Sequence, residues 1–260
     1  MEDRDAGTGG ELRETLRQLH WILRGCEWSG VHGWAKGGGP GEKPSPSSRA
    51  RGSAATSKTE QGTPPGRPEG EAERKEAPRE SLEDIREDLG ECTRCRLHRE
   101  RNRIVFGEGS PRAPLVFVGE GPGREEDLQG RPFVGRAGKL LDKIVGSLGL
   151  TRKEVYICNV VKCRPPGNRT PEKDEIAACS PFMRRQVEAI KPKVVCALGA
   201  PAAQTLLGSA DSISKLRGRI HLWRGVPLVA TYHPAYLLRT PSRKADVWKD
   251  MLLVLDLLRS

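Results

Sequence analysis

The chain is short of apolar material. Aromatic residues fill 5% of its 260 positions and the whole apolar set 36%, against 30% charged. So thin a supply implies that part of the chain stays unpacked, and one domain with an extension suits the length better than two domains. Long apolar runs are also missing. The longest candidate, Met251 to Leu258, contains Asp256 and falls well short of the roughly 18 residues of a membrane span. The opening MEDRDAGTGGE is acidic and glycine-rich, without the apolar core of a signal peptide. Membrane insertion and secretion are disfavoured, and a cytoplasmic protein is expected.

A third shortage is local. Between Glu27 and Glu80 the only branched aliphatic residue is Val31, and 22 of the 44 residues 27–70 are Gly, Pro or Ser. Such a stretch cannot bury enough surface to offset its ordering entropy, and it reads as a disordered linker over 27–80. Ahead of it, Leu12, Leu16, Leu19 and Leu23 recur at helical spacing beside Ile22, which predicts a short amphipathic helix within residues 1–26. A linker of this kind could tether a partner protein by raising its effective concentration; an inert extension is the plainer alternative. The folded domain is expected over 81–260, starting at the helix-cap signal Ser81-Leu82-Glu83-Asp84.

Charge is distributed unevenly. Residues 1–80 hold 13 Lys+Arg and 13 Asp+Glu, whereas residues 81–260 hold 31 and 21, so the net charge of +10 belongs to the expected domain. A basic folded part suits a polyanion partner, because every phosphate it neutralises releases condensed counterions.

Within that domain, LVFVGE (115–120), VYICNVV (155–161), VVCALG (194–199) and PLVATY (227–232) read as buried strands. Helical stretches follow at 137–150, 171–190, 200–207 and 243–258. Strand and helix in alternation predict an α/β fold, a three-layer α/β/α arrangement around a central four-stranded, mainly parallel sheet. Ligands of such sheets gather beyond the carboxyl ends of the strands. The first strand ends in Gly119-Glu120-Gly121-Pro122-Gly123, which matches neither a dinucleotide fingerprint nor a P-loop and leaves a carboxylate in a sharp turn. The second ends at Asn159, a side-by-side donor and acceptor, and the fourth runs into His233. Phe133 lies in the glycine-bounded loop GRPFVG at 130–135. These four residues are expected to share one crevice.

Of the seven cysteines, Cys158 and Cys196 fall inside apolar strand runs, and Cys26 opens the linker. Cys92 and Cys95 form one pair, Cys163 and Cys179 another. In a reducing compartment four such thiols read as a metal site, and their spacing leaves zinc and an iron–sulfur cube both open.

Taken together, GEGPG (119–123), GRPFVG (130–135), NVVKCRPPGNRTP (159–171), HPAYLLR (233–239) and the cysteine spacing closely resemble the family-4 uracil-DNA glycosylases, bacterial and archaeal enzymes with a 4Fe–4S cluster. The resemblance runs from about Ser81 to Leu258. It implies that the chain hydrolyses the bond between uracil and deoxyribose after the base leaves the stack, giving an abasic site in base excision repair. It further implies that Phe133 stacks on the uracil, Asn159 reads its N3 and O4, and His233 donates to O2 of the leaving base. Glu120 would orient water and stabilise an oxocarbenium-like sugar. Gly121 stands where another glycosylase family carries its catalytic Asp, and Glu126 is a candidate for crowding the C5 position and excluding thymine.

The same resemblance assigns the cluster to Cys92, Cys95, Cys163 and Cys179, in a structural role. It makes Leu237 the candidate wedge into the vacated stack, and Arg164, Arg169, Lys215, Arg217, Arg219 and Arg239 candidate phosphate contacts, on a monomer. A related family with wider base range typically lacks this glutamate. A second relative captures the abasic sugar through a histidine, and Lys162 to Pro171 contains none. A non-catalytic DNA-binding module or an electron-transfer protein would not require Glu120, Asn159 and His233 together.

Overall fold

The computed structural model describes residues 80–260. The expected helix of 1–26 and the linker lie outside the described residues, apart from Glu80. That carboxylate pairs with Arg185, whose Nε donates across 2.9 Å, so the folded part claims one residue assigned to the linker.

Six strands form one sheet in the order β1-β3-β2-β4-β6-β5: β1 (Glu108–Gly109), β2 (Leu115–Gly119), β3 (Tyr156–Asn159), β4 (Val194–Leu198), β5 (Ile220–Trp223) and β6 (Val226–Thr231). The four expected strands are its centre and pair in parallel. The expected four-stranded sheet needs correcting at both edges, where β1 and β5 pair antiparallel with β3 and β6. Neither edge carries a buried apolar run: β1 has two residues, and β5 exposes Ile220 and Leu222. The turn joining β5 to β6 uses Arg224 and Gly225, both at positive φ (49° and 82°), as a tight antiparallel hairpin requires.

Eight helices are described: α1 (Leu82–Leu89), α2 (Arg124–Gln129), α3 (Arg136–Ser147), α4 (Lys173–Ile190), α5 (Ala200–Leu207), α6 (Ile213–Leu216), α7 (Pro234–Arg239) and α8 (Lys244–Arg259). The central strands are apolar on both faces, so each face takes a helical layer. Leu115 and Phe117 of β2 join Leu141 and Val145 of α3 and Val247, Met251 and Val254 of α8. Val116 and Val118, pointing the other way, join Met183 and Val187 of α4 and Ala202 and Ala203 of α5. Fully burying each large side chain of this kind contributes about 1.5–3 kcal/mol.

Helix α1 forms a satellite on α4. Ser81 caps it, its Oγ accepting from the Asp84 N–H at 3.1 Å while Asp84 accepts from the Ser81 N–H at 2.8 Å. Ile85 and Leu89 then pack on Phe106 and Phe182. This docking carries the loop of Cys92 and Cys95 to the side of α4 that holds Cys179. No helix among the described residues is long and apolar enough to cross a membrane.

Candidate active site

Parallel register puts the carboxyl ends of the central strands side by side. Gly119, last in β2, lies opposite Asn159, last in β3. A methyl group at Gly119 would stand 2.7 Å from Phe133 Cζ and closer still to Asn159 Oδ1. Only hydrogen fits, and the two side chains thereby meet over one backbone position. The Phe133 and His233 rings lie 5.5 Å apart at 33°. Asn159, Phe133 and His233 thus converge, and Glu120 follows Gly119 directly. Asn159 Oδ1 is the only buried side-chain polar atom among the described residues without a hydrogen-bond partner. A buried acceptor left without a partner costs about 1–3 kcal/mol, which singles this atom out.

Phe133 sits in the left-handed region, at φ 52°, although it is bulky and not glycine. Such a conformation costs of order 1–3 kcal/mol and persists only where surroundings enforce it. Glu126 is one enforcer. Its carboxylate accepts from the N–H of Gly123 (3.1 Å), Val134 (2.9 Å) and Gly135 (3.0 Å). Both its oxygens are engaged in stapling the GEGPG loop to the GRPFVG loop, which fixes the orientation of the carboxylate expected at the C5 position. A side chain at Gly121 would meet Val161 Cγ2 at 2.8 Å, with Pro165 and Pro171 behind it.

His233 caps α7: the Ala235 N–H donates to its Nδ1 at 3.1 Å. The lone pair is therefore on Nδ1, which leaves Nε2 as the ring's donor. Burial, reinforced by the Arg239 charge and opposed by Glu126, pushes its pKa down to about 4, so the ring is neutral around pH 7. Glu120 moves the opposite way. Burial raises its pKa, and a hydrogen bond with the Thr170 side chain partly offsets the rise.

Cys92, Cys95, Cys163 and Cys179 line a single cavity with Leu89, Ala178 and Lys162, and all four are free thiols. Donors already point at the sulfurs: the Lys162 N–H at Cys179 (3.2 Å), Arg94 at Cys92 (3.5 Å) and Arg101 at Cys163 (3.5 Å). Burial raises the Cys163 thiol and pushes Cys179 up to about 12, so thiolates there call for a cationic partner. Among the described residues no three His, Cys, Asp or Glu side chains converge tightly enough for one metal ion. Lys162 is wholly buried and spans the gap between this cavity and the crevice. Its Nζ donates to the Asn159 carbonyl at 2.9 Å and to Gln186 Oε1 at 2.5 Å.

The basic residues divide. Arg217 is part-buried against Asp250, to which it donates twice (3.0 and 2.9 Å), and it also reaches the Asp246 carbonyl. Arg169 donates twice to Glu175, at 2.8 and 2.6 Å. Both expected phosphate contacts are corrected, because carboxylates already neutralise these guanidinium groups. Arg164 donates to Asn168 (2.7 Å), and Lys215 lies 3.5 Å from Asp211 while remaining open to solvent. Arg219 and Arg239 are exposed, with Arg239 close enough to His233 to affect its titration. Leu237, the expected wedge, is corrected as well. It is 1% exposed within the core, whereas its neighbour Leu238 is 39% exposed.

Thr170, beside Glu120, and Lys162, behind Asn159, were not among the residues expected at the site. Lys162 alone carried a signal, as a lysine between an apolar strand and a cysteine.

Residues 106–253 match the family model described as the uracil DNA glycosylase superfamily. A type-4 uracil-DNA glycosylase of Thermotoga maritima is 51% identical over 162 residues, covering 62% of this chain and 84% of that protein. The type-4 enzyme of Sulfurisphaera tokodaii is 43% identical over 182 residues, covering 66% and 83%. That of Archaeoglobus fulgidus is 43% identical over 171 residues, covering 63% and 86%.

Proposed function

As a member of the uracil-DNA glycosylase superfamily, in its type-4 group, this chain excises uracil from DNA, and we propose that it does so around Asn159, Phe133, His233 and Glu120. It is a hydrolase of N-glycosyl bonds acting in DNA repair. The observation that carries the residue assignments is the partnerless Asn159 Oδ1 beside the Phe133 ring.

In the proposed reaction the uracil leaves the stack, at a cost of a few kcal/mol, and its ring lies on Phe133. Asn159 Oδ1 accepts from N3–H and its amide nitrogen donates to O4. Cytosine presents these groups interchanged, so it would leave Oδ1 without a partner. As the glycosidic bond lengthens, negative charge grows on O2, where neutral His233 donates through Nε2; a preorganised donor of this type contributes about 3–4 kcal/mol. Glu120, in its ionised form, orients the attacking water and stabilises the positive sugar. On α7 the exposed Leu238, rather than Leu237, is the side chain able to fill the vacated stack. Arg219, Arg239, Arg164 and Lys215 remain the phosphate candidates.

The four thiols fit a 4Fe–4S cluster. The cavity's apolar wall and the N–H donors aimed at sulfur support thiolate ligation of such a group. When bound, the cluster supplies a cross-link between the α1 loop, the loop after β3 and α4, and hydrolysis needs no electron from it. Free thiols of this kind persist in a reducing cytoplasm.

A uracil-containing oligonucleotide, incubated with the protein and then treated with alkali, should break at the uracil position. Asn159→Ala should lower that cleavage at least about a hundredfold without loss of fold, since it removes both contacts to the base's edge. Undiminished cleavage by this variant would remove Asn159 from the reading role.

A further inference from the structure

We propose that Arg152, outside the crevice on the loop between α3 and β3, is a positioning residue that fixes the stacking ring of Phe133 by clamping its main chain. The inference rests on Phe133 being the platform for the extruded base.

Four observations support it. Arg152 Nη1 donates to the Phe133 carbonyl at 3.1 Å, and Nη2 donates to the Pro132 carbonyl. One planar guanidinium therefore holds two successive carbonyls from two separate nitrogens, in a rigid fork whose spacing a point-like ammonium lacks. Its orientation is fixed in turn by carboxylates on two other elements: Asp142 of α3 at 3.0 Å and Glu108 of β1 at 3.4 Å. Glu108 is itself held by Arg131, in the same loop as Phe133, through two bonds of 2.7 Å. Finally, Gly138 of α3 leaves no room for a side chain beside the Phe133 carbonyl, so the helix backs that carbonyl while Arg152 grips it.

The clamp acts where the backbone is strained. At φ 52° the Phe133 backbone would relax toward ordinary conformations if released. Relaxation would swing the ring away from Gly119 and His233, because its direction follows from the backbone at that residue. Arg152 acts on the reaction solely through this ring. Its loss should therefore resemble loss of the ring.

The test is a double-mutant cycle on the full-length protein, with kcat and KM measured on a uracil-containing single-stranded oligonucleotide. Phe133→Ala, Arg152→Ala, the double variant and Arg152→Lys are compared, with melting temperature and circular dichroism followed for each. Arg152→Ala should lower kcat roughly tenfold to a hundredfold through misplacement of the platform. In the Phe133→Ala background the same change should have an effect of about twofold or less, since coupled residues are non-additive. Arg152→Lys keeps the charge and serves if the alanine variant does not fold; it should show the same dependence on Phe133 with a smaller loss. Full activity of folded Arg152→Ala, or equal losses with and without Phe133, would overturn the clamp while leaving the platform standing. Full activity of Phe133→Ala would instead remove the platform, and the clamp with it.

Discussion

Two titrating residues of the crevice are displaced in opposite directions, and together they set a pH profile. His233 is held neutral down to about pH 4, so it gives no inflection near the usual histidine range of roughly 6–7. In the proposed reaction Glu120 works as an anion, and burial has raised its pKa, so activity should climb with pH through a point above the ordinary glutamate value. A kcat/KM profile should show that single acid limb. Glu120→Gln should abolish it together with most activity, whereas His233→Gln should lower the plateau and leave the limb in place. An inflection near pH 6.5 that disappears with His233 would show the ring to be ordinary. At the same scale, Lys162→Met strips a donor from the Asn159 carbonyl and from Gln186, leaving two buried acceptors at about 1–3 kcal/mol each. A clear fall in melting temperature should accompany weaker uracil cleavage.

Among elements, α2 connects the two glycine loops through Glu126. Glu126→Ala frees three backbone N–H groups of the Phe133 and Gly123 loops. Uracil cleavage should drop, and no cleavage of thymine-containing DNA should appear. Gain of thymine activity would instead show Glu126 crowding the C5 position. Elements also show what patterning alone could reveal. The central strands were legible because each is an apolar run buried on both faces, and the ends of such strands pointed to Glu120, Asn159 and His233. Strand β5 was not, since Ile220 and Leu222 face solvent. Helix α7 is six residues long, too short for its apolar phase to distinguish Leu237 from Leu238. The part-buried placement of Arg217 depends on Asp250, 33 positions along the chain, and no local pattern announces such a pairing.

Across the whole molecule, the excess of positive charge should make DNA binding fall steeply with salt. Arg219→Ala and Arg239→Ala should each reduce the slope of log affinity against log salt by about one. Arg217→Ala should leave the slope alone and lower the melting temperature, because it strands the buried Asp250. The cysteine cavity operates at this scale too, joining segments distant in sequence. The purified protein should contain iron and absorb broadly in the visible range. Cys163→Ser should lose both and melt at lower temperature; zinc in place of iron would refute the cluster.

The hydrogen atom at position 119 also limits how this lineage can change its choice of base. Any larger residue there would push against Asn159 and Phe133 at once, so mutational drift at that position is closed. Under the proposed roles of Asn159 and Phe133, new specificity has to be acquired across the gap, by exchanging residue 159 or 133 while the strand end beneath them stays bare.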